Sequence, residues 1–258
     1  MRNARHGEPK RLPISYGKLF SDHYNRWAAA PEVVPMKRTT TIASLLFFSV
    51  FAAAQTTEPV PVDQEPHHHV LLNNDDVLIL RCTLHPGERT LYHTHSYDSI
   101  AVELAHATVI QQKWGSTETA ADEVHPGELS VRILKGETYT HRISNIGQAE
   151  FDVFDVEVLR PSAHPSAALA GTVAVENPGA RAYKWTLAPG SVTPMHTHER
   201  PYIIVAATAF PLKMIAPGGQ SMTHDIKPGD FHWVTSKVTH SLTNEGKIEA
   251  QIIEIELK

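Results

Sequence analysis

The sequence predicts an all-β protein built from two similar domains in tandem. Three observations support this prediction: an internal repeat of about 100 residues, short β-branched runs separated by turn residues, and frequent Pro and Gly, at 18 and 14 of 258 residues. Many short strands joined by such turns are typical of sandwiches and barrels. A repeat of this length is too long for a solenoid unit, so each copy corresponds to a whole domain.

The repeat is clearest in two stretches that each contain a Pro-Gly turn and end in His-Thr-His. Residues 83–95 read TLHPGERTLYHTH and residues 186–198 read TLAPGSVTPMHTH, with eight of 13 positions identical. Two histidines at positions i and i+2 of a strand project from the same face, because side chains alternate with period two. Each copy therefore predicts two imidazoles on one side of a strand. The alternative is a hairpin with incidental histidines, and the repetition of the pattern argues against it.

The later parts of the two copies also correspond. Residues 140–147 read THRISNIG and residues 239–246 read THSLTNEG, which adds one late histidine to each copy. Residues 154–158 and 253–257 alternate apolar and acidic side chains in the same phase. This alternation predicts an equivalent closing strand in each domain, with one solvent-exposed face. The predicted domains are residues 67–160 and 173–258, joined by a linker at 161–172.

The chain before residue 67 is predicted to lie outside the fold. Residues 36–54 have the features of a secretory signal peptide, with a basic start, an apolar run and an Ala-rich end. Residues 1–35 are then a disordered upstream extension, and residues 55–66 are a linker. The apolar run is shorter than the roughly 20 residues that span a bilayer, so no stable membrane span is expected after cleavage. We therefore expect a secreted or periplasmic protein; a buried N-terminal helix or a membrane anchor is the alternative.

Composition argues against nucleic-acid binding and excludes structures that need more than one cysteine. Residues 1–54 hold eight of the 23 Lys and Arg and three of the 28 Asp and Glu, so the remainder carries 15 basic and 25 acidic residues. Nucleic-acid binding is not expected, because phosphate neutralisation needs clustered Lys and Arg. Cys82 is the only cysteine, which excludes an intramolecular disulfide and a thiolate zinc cluster. We expect Cys82 to be a buried core thiol.

These motifs resemble those of the cupins, which are small double-stranded β-helix (jelly-roll) barrels, and the chain from about residue 70 onward resembles a two-domain bicupin. The first cupin motif runs from a Gly through His-x-His to a Glu, and Gly87 and Gly190 begin it here. The second motif, with a late His and an Asn, is matched loosely, with Asn145 and Asn244 as its asparagines. The resemblance implies a jelly-roll fold and a metal site in each barrel. It also allows a homodimer.

One departure from the family pattern concerns the ligand set. At the position of the motif's Glu, the two copies have Ile100 and Ile203, and the spacing shorter by one residue gives Ser99 and Tyr202. No carboxylate is offered at either spacing. The sequence therefore predicts two sites with three imidazoles each: His93, His95 and His141 in the first domain, and His196, His198 and His240 in the second.

Three neutral imidazoles on one side of a divalent ion leave other coordination positions to water or substrate. Such ligands suit Fe, Zn, Ni or Cu, and Mn less well, without choosing among them. A site without a carboxylate carries one more positive charge, which favours a small anionic ligand or substrate. The resemblance to cupins implies dioxygenase, isomerase, lyase or decarboxylase chemistry.

The second domain offers the candidate catalytic residues. Arg200 and Tyr202 share the strand parity of His196 and His198, so both face the same cavity if the strand stays regular. Arg200 would then hold a substrate carboxylate; the alternative is that it lies at the surface. In the first domain, residues 67–69 are all histidine, but adjacent strand residues point to opposite faces. We therefore interpret this run as a loop or strand entry and not as a metal site.

The sequence thus favours an exported metal-dependent enzyme, dioxygenase-like or isomerase-like, acting on a small polar or anionic molecule at the second site. One alternative is a non-catalytic protein that keeps the metal as an anchor for a small ligand. Another is a structural bicupin with relic histidines, and the complete set of histidines in both copies argues against it.

Overall fold

The computed structural model describes residues 58–161, 168–169 and 171–258. The predicted upstream extension and signal peptide lie outside these residues, as does most of residues 162–170 in the predicted inter-domain linker. The described chain is all-β, as predicted, and no helix in it is long and apolar enough to cross a membrane.

Two five-stranded sheets form the first barrel. Its strands are β1 (Val60–Pro61), β2 (His68–Asn73), β3 (Val77–Leu84), β4 (His93–His95), β5 (Ser99–Glu103), β6 (Ala107–Lys113), β7 (Asp122–Val124), β8 (Leu129–Arg132), β9 (Tyr139–Asn145) and β10 (Phe151–Val158), with a 3-10 helix at Val62–Gln64. The strand orders are β1-β4-β9-β6-β7 and β2-β3-β10-β5-β8. The histidine-bearing strands β4 and β9 are neighbours in the first sheet.

The second barrel repeats this plan with one strand fewer. Its strands are β11 (Val173–Glu176), β12 (Ala180–Leu187), β13 (His196–His198), β14 (Tyr202–Ala206), β15 (Phe210–Ile215), β16 (Ser221–Ile226), β17 (Phe231–Val234), β18 (Val238–Asn244) and β19 (Ala250–Leu257). The strand orders are β11-β12-β19-β14-β17 and β13-β18-β15-β16. The late asparagines close equivalent corners: the amide of Asn145 donates to Leu84 and Ala149, and that of Asn244 donates to Leu187 and Ile248.

Part of the predicted linker at 55–66 belongs to the first barrel. Strand β1 pairs in parallel with β4, opposite the first histidine pair. Glu65 is buried, and its carboxylate accepts hydrogen bonds from the backbone N–H groups of His67 and Leu91. The polar composition that predicted a linker therefore includes a buried carboxylate that ties the chain entry to the barrel.

The closing strands β10 and β19 also differ from their predicted state. Both were expected to have one solvent-exposed face, but their acidic side chains are buried: Asp155 and Glu157 in β10, and Glu254 and Glu256 in β19. The apolar side chains on the opposite face of each strand pack between the two barrels. The polar face therefore points into the barrel, towards the histidines, and not into water.

The two barrels pack through one continuous apolar core. It joins β3, β5 and β10 of the first barrel to β12, β14, β17 and β19 of the second, with the ring centroids of Phe154 and Phe231 5.3 Å apart. A Pro-Gly turn of each barrel also contacts the other barrel. A Cβ on Gly127 would meet Gln251 of the second barrel, and one on Gly229 would meet Arg81 of the first, and both glycines have positive φ.

Truncating the inter-barrel core tests whether the barrels stabilise each other. Phe154 is fully buried at the contact, so Phe154→Ala is expected to lower the free energy of unfolding by about 3–5 kcal/mol. Denaturant unfolding measures this change. Ile248→Ala, at a residue that is 66% exposed, serves as the control and should change stability by less than about 0.5 kcal/mol. A Phe154 variant with the stability of the control would contradict the shared core.

Candidate metal centres

Strand pairing brings the three predicted histidines of the first barrel together. His93 on β4 lies opposite His141 on β9, and His95 follows two residues later on the same face. All three side chains are buried. The Nε2 atoms of His95 and His141 are 3.2 Å apart, a separation that fits two ligands each about 2.1 Å from one ion.

The second barrel repeats this arrangement with its own histidines. His196 on β13 lies opposite His240 on β18, and His198 is on the same face as His196. The ring centroids of His196 and His240 are 4.5 Å apart, as are those of His93 and His141 in the first barrel. Both predicted trios therefore exist as buried clusters.

In each cluster, a hydrogen bond made by Nδ1 of the first histidine determines that its Nε2 faces the other two histidines. Nδ1 of His93 donates to the carbonyl oxygen of Leu91 at 3.0 Å, and Nδ1 of His196 donates to that of Pro194 at 2.9 Å. These bonds direct Nε2 inward, as the outer partners of metal-bound histidines do. Nε2 of His93 is buried and makes no hydrogen bond to any described residue. Buried polar atoms are nearly always satisfied, so this orphaned nitrogen fits a metal ligand.

The closing strands supply the second outer partner in each barrel. Nδ1 of His95 donates to Glu157 at 2.7 Å, and Nδ1 of His198 donates to Glu256 at 3.1 Å. These side chains hold the two rings in orientation, as the outer partners of metal-bound histidines do. The acidic alternation in the two closing strands is thus part of the site in both barrels.

The prediction that both sites have imidazoles only is corrected in the second barrel. Glu254 on β19 lies among the three histidines, and the four ligand atoms are all within 4.8 Å of one another. Glu254 does not occupy the family's motif position, which is on β14. It reaches the cluster from the closing strand. This placement could not be predicted without knowing how the strands pair.

The two clusters differ in electrostatics. In the first, burial lowers the pKa of His93 to about 3 and that of His141 to about 2, which keeps both imidazoles neutral and able to bind a metal ion. In the second, burial alone would lower the pKa of His198, but Glu254 raises it to about 9. Burial would raise the pKa of Glu254, but the three histidines hold it well below its usual range.

The first trio lies at the wall of a cavity that has a volume of about 70 Å³. The repeat shows which residue of the second barrel corresponds to a small residue of this wall. Cys82 lies opposite Val153 in the first barrel, and the residue in the same register of the second is Trp185, opposite Ile252. The small thiol lines the first cavity, whereas the indole ring of Trp185 stacks on His196.

The first cavity contains polar groups that sequence reasoning missed. Glu103 and Arg132 line it, and by strand register their counterparts in the second barrel are Ala206 and Val234. Burial, with Glu128 nearby, raises the pKa of Glu103 to about 8. Its Oε2 atom is buried without a hydrogen bond to any described residue. A comparison of the two copies position by position is the signal that could have found these residues.

The structure separates the two predicted catalytic residues. Tyr202 is buried, and its ring stacks on His198 with centroids 3.7 Å apart and planes at 10°. Arg200 is half-buried in a bend, because β13 ends at His198 and β14 begins at Tyr202. The strand regularity on which the placement of Arg200 depended is therefore interrupted.

The interpretation of residues 67–69 is partly corrected. His68 does enter strand β2, but its ring reaches the first cavity, with its centroid 4.4 Å from that of His93. Glu65 holds this ring through a 2.6 Å contact between its Oε2 and Nδ1 of His68. Cys82, in contrast, is buried as expected.

A further exposed group combines His106, Glu123 and His125 at the paired ends of β6 and β7. The two imidazole rings stack with centroids 4.7 Å apart. This group is separate from the buried clusters, and the sequence analysis did not identify it.

No protein-family model and no curated protein matches the chain. Among solved structures, AerE from Microcystis aeruginosa is 16% identical, with 78% of this chain and 98% of that chain covered and a TM-score of 0.54. YhhW from Escherichia coli is 12% identical, with 74% and 89% covered and a TM-score of 0.52. A salicylate 1,2-dioxygenase variant from Pseudoaminobacter salicylatoxidans, in complex with gentisate, is 14% identical, with 77% and 76% covered and a TM-score of 0.50.

The chain has the cupin fold. This confirms the predicted class of two tandem jelly-roll barrels. At these identities the likeness establishes the fold, and the reaction has to be argued from the chain's own sites.

Acid titration tests the neutral state of the first trio. Unfolded histidines take up a proton below about pH 6.5, whereas native His93 and His141 do so only near pH 3 and pH 2. Unfolding therefore takes up a proton on each of these two histidines between these limits, and their contribution to the free energy of unfolding of the chelator-treated protein should fall as pH falls below 6.5. Denaturant titrations at pH 7.5, 6 and 5 measure it.

The matched control is His141→Gln, which removes one of the two side chains that take up a proton on unfolding. Its decrease in stability per pH unit should be smaller than that of the unchanged protein, by up to about 1.4 kcal/mol. Identical pH dependence in the two proteins would show that His141 titrates normally in the native state.

Proposed function

We propose that the protein is a metal-dependent enzyme, dioxygenase-like or isomerase-like, that acts on a small anionic molecule in the first barrel. The observation that carries the proposal is a single cavity lined by three neutral imidazoles, Glu103 and Arg132. Catalytic metal sites keep three protein ligands and leave a position for water or substrate. The proposal moves the active site from the second barrel, where the sequence analysis expected it, to the first.

A divalent ion held by His93, His95 and His141 would polarise a bound oxygen atom and lower the pKa of bound water. Its identity is open among Fe, Zn, Mn, Ni and Cu, because imidazoles alone do not choose. The outer bonds to Leu91 and Glu157 would hold two of the rings in place.

Arg132 is the proposed anchor for the anionic group. One guanidinium nitrogen donates to the hydroxyl of Ser99 at 3.1 Å, and it lies 3.9 Å from Asp155. The guanidinium carbon also lies 5.1 Å from the ring centroid of Tyr139. These contacts position a fixed charge at the cavity wall, where a planar guanidinium can bind a carboxylate through two hydrogen bonds.

Glu103 is the proposed proton carrier. With a pKa of about 8, its carboxyl group keeps its proton at neutral pH. A carboxylic acid that is protonated in a buried cavity can donate this proton to a developing negative charge. The unsatisfied Oε2 atom leaves one oxygen of this group available to a bound molecule.

The size of the cavity limits the substrate. A volume of about 70 Å³ compares with the roughly 10–15 Å³ that is needed to hold one water molecule. This favours a small acid over a bulky one.

Metal analysis combined with an activity screen tests the proposal. The protein is purified without chelators, its metal content is measured, and oxygen uptake and isomerisation are followed with a panel of small carboxylic acids. Replacing His93 and His95 with Ala should remove metal from the first barrel and abolish turnover. The matched variant, with His196 and His198 replaced by Ala, should lose metal from the second barrel and retain turnover if it folds.

Absence of metal from the unchanged protein would overturn the proposal. Metal and ligand binding without turnover of any acid would favour the alternative, a non-catalytic protein that uses the metal as an anchor.

Substituting Glu103 tests its role in proton transfer. Glu103→Gln keeps the shape of the side chain and removes the titrating proton, so metal content should be unchanged while kcat falls by about 100-fold or more. The activity of the unchanged enzyme should fall as pH rises through about 8, because the acid form is lost, and this decrease should be absent in the variant. A variant with the kcat and pH profile of the unchanged enzyme would exclude Glu103 as the acid.

We further propose that the protein is exported after cleavage of the segment 36–54. The support is the sequence pattern of that segment alone. N-terminal sequencing of secreted or periplasmic protein should find a start near Gln55, and a mature chain that retains residues 2–35 would contradict export by this route. A homodimer likewise remains a prediction.

A further inference from the structure

We infer that the second barrel holds a structural metal site in which Glu254, from the closing strand, is the fourth ligand. The other ligands are His196, His198 and His240, and the ion is a divalent cation such as Zn²⁺. This inference depends on the proposal that the chain binds metal. It does not depend on the reaction proposed for the first barrel.

The donor atoms converge on both oxygens of the carboxylate. Nε2 of His196 lies 3.0 Å from Oε2 of Glu254, while Nε2 of His240 and His198 lie 2.9 and 3.3 Å from Oε1. His198, His240 and Glu254 have no exposed surface at all, and His196 is 4% exposed. Three imidazole nitrogens and one carboxylate form a complete four-ligand set for a divalent ion of the zinc type.

Two aromatic side chains cover and fix these ligands. The indole N–H of Trp185 donates to Oε2 of Glu254 at 2.6 Å, and the indole ring stacks on His196 with centroids 5.4 Å apart. Tyr202, at the start of β14, stacks on His198. Side chains that fix and shield ligands in this way slow ligand exchange and hold the metal.

The first barrel differs at each of these positions. Trp185 corresponds to Cys82, Tyr202 to Ser99, and Glu254 to Asp155 in the strand registers. Asp155 is one methylene shorter, and Arg132 lies beside it. The first barrel thus has three protein ligands and a cavity, whereas the second has four protein ligands and an aromatic cover. These are the hallmarks of a catalytic and a structural metal site respectively.

The competing explanation is an ion-pair cluster with no metal, in which Glu254 is stabilised by protonated histidines. Full burial of such charges is costly, since the desolvation of each ion must be repaid by pairing. A metal ion would satisfy the carboxylate and all three imidazoles at once.

Chelator-release kinetics test the inference. The full chain is loaded with Zn²⁺, and metal release into excess EDTA is followed together with the thermal unfolding temperature. We expect two ions per chain, one released rapidly and one slowly. Glu254→Gln should speed release of the slow ion by more than about 100-fold, beyond the 10–100-fold typical of residues outside the ligand set, and should lower the Tm in the presence of Zn²⁺.

Asp155→Asn, at the equivalent position of the first barrel, is the matched control and should leave the slow release rate unchanged. Trp185→Phe keeps an aromatic cover and removes only the N–H, so it should fold and speed slow release by about tenfold. This variant decides the question if Glu254→Gln does not fold.

The outcomes separate this inference from the proposed function. If neither the Glu254 nor the Trp185 variant changes the slow rate, Glu254 is not a ligand. A single, rapidly released ion that disappears when His93 and His95 are replaced by Ala would overturn the structural site and leave the proposed enzyme intact. Failure of the chain to bind any Zn²⁺ or other metal would overturn both.

Discussion

The two-sided closing strand is the constraint on which both barrels depend. In β10 and β19, one face carries the apolar residues that join the barrels, and the other carries carboxylates that reach the histidines. Because successive strand residues point to opposite faces, a shift of one residue would exchange these two environments. Packing between the barrels therefore fixes the register that places Glu157 beside His95 and Glu256 beside His198. The hydrophobic core and the geometry of the histidine clusters are set by the same strand pairing.

Given the same scaffold, a few side-chain volumes decide what each site can do. The histidine trios have nearly equal ring separations in both barrels, so the ligands themselves do not distinguish the sites. The distinction comes from their neighbours, where Cys82 and Glu103 on one side correspond to Trp185 and Ala206 on the other. The small thiol and the buried acid line a cavity, whereas the indole ring stacks on His196 and its N–H donates to Glu254.

The sequence was sufficient for the fold and the histidines, because both depend on local patterns. His-x-His fixes two imidazoles on one face whatever the rest of the chain does, and the repeat doubles the evidence. Glu254 was missed because its position depends on long-range strand pairing and not on a local pattern. Alternating acidic residues in a strand usually face solvent, and only the pairing of β19 with β14 and β12 shows that this face is the barrel interior. His68 was missed likewise, since its ring reaches the cavity from a separate strand.

The comparison of Asp155 with Glu254 shows how closely an open and a closed site are related. The oxygens of Glu254 come within 2.9–3.3 Å of the inward nitrogens of its three histidines. Asp155, shorter by one methylene, instead has its Oδ2 atom 3.7 Å from the outer nitrogen of His95 and 3.9 Å from Arg132. The arginine thus offers this carboxyl group a partner, and it also lines the cavity. The same position of the closing strand therefore places a carboxyl group against three inward nitrogens in the second barrel and near an arginine in the first.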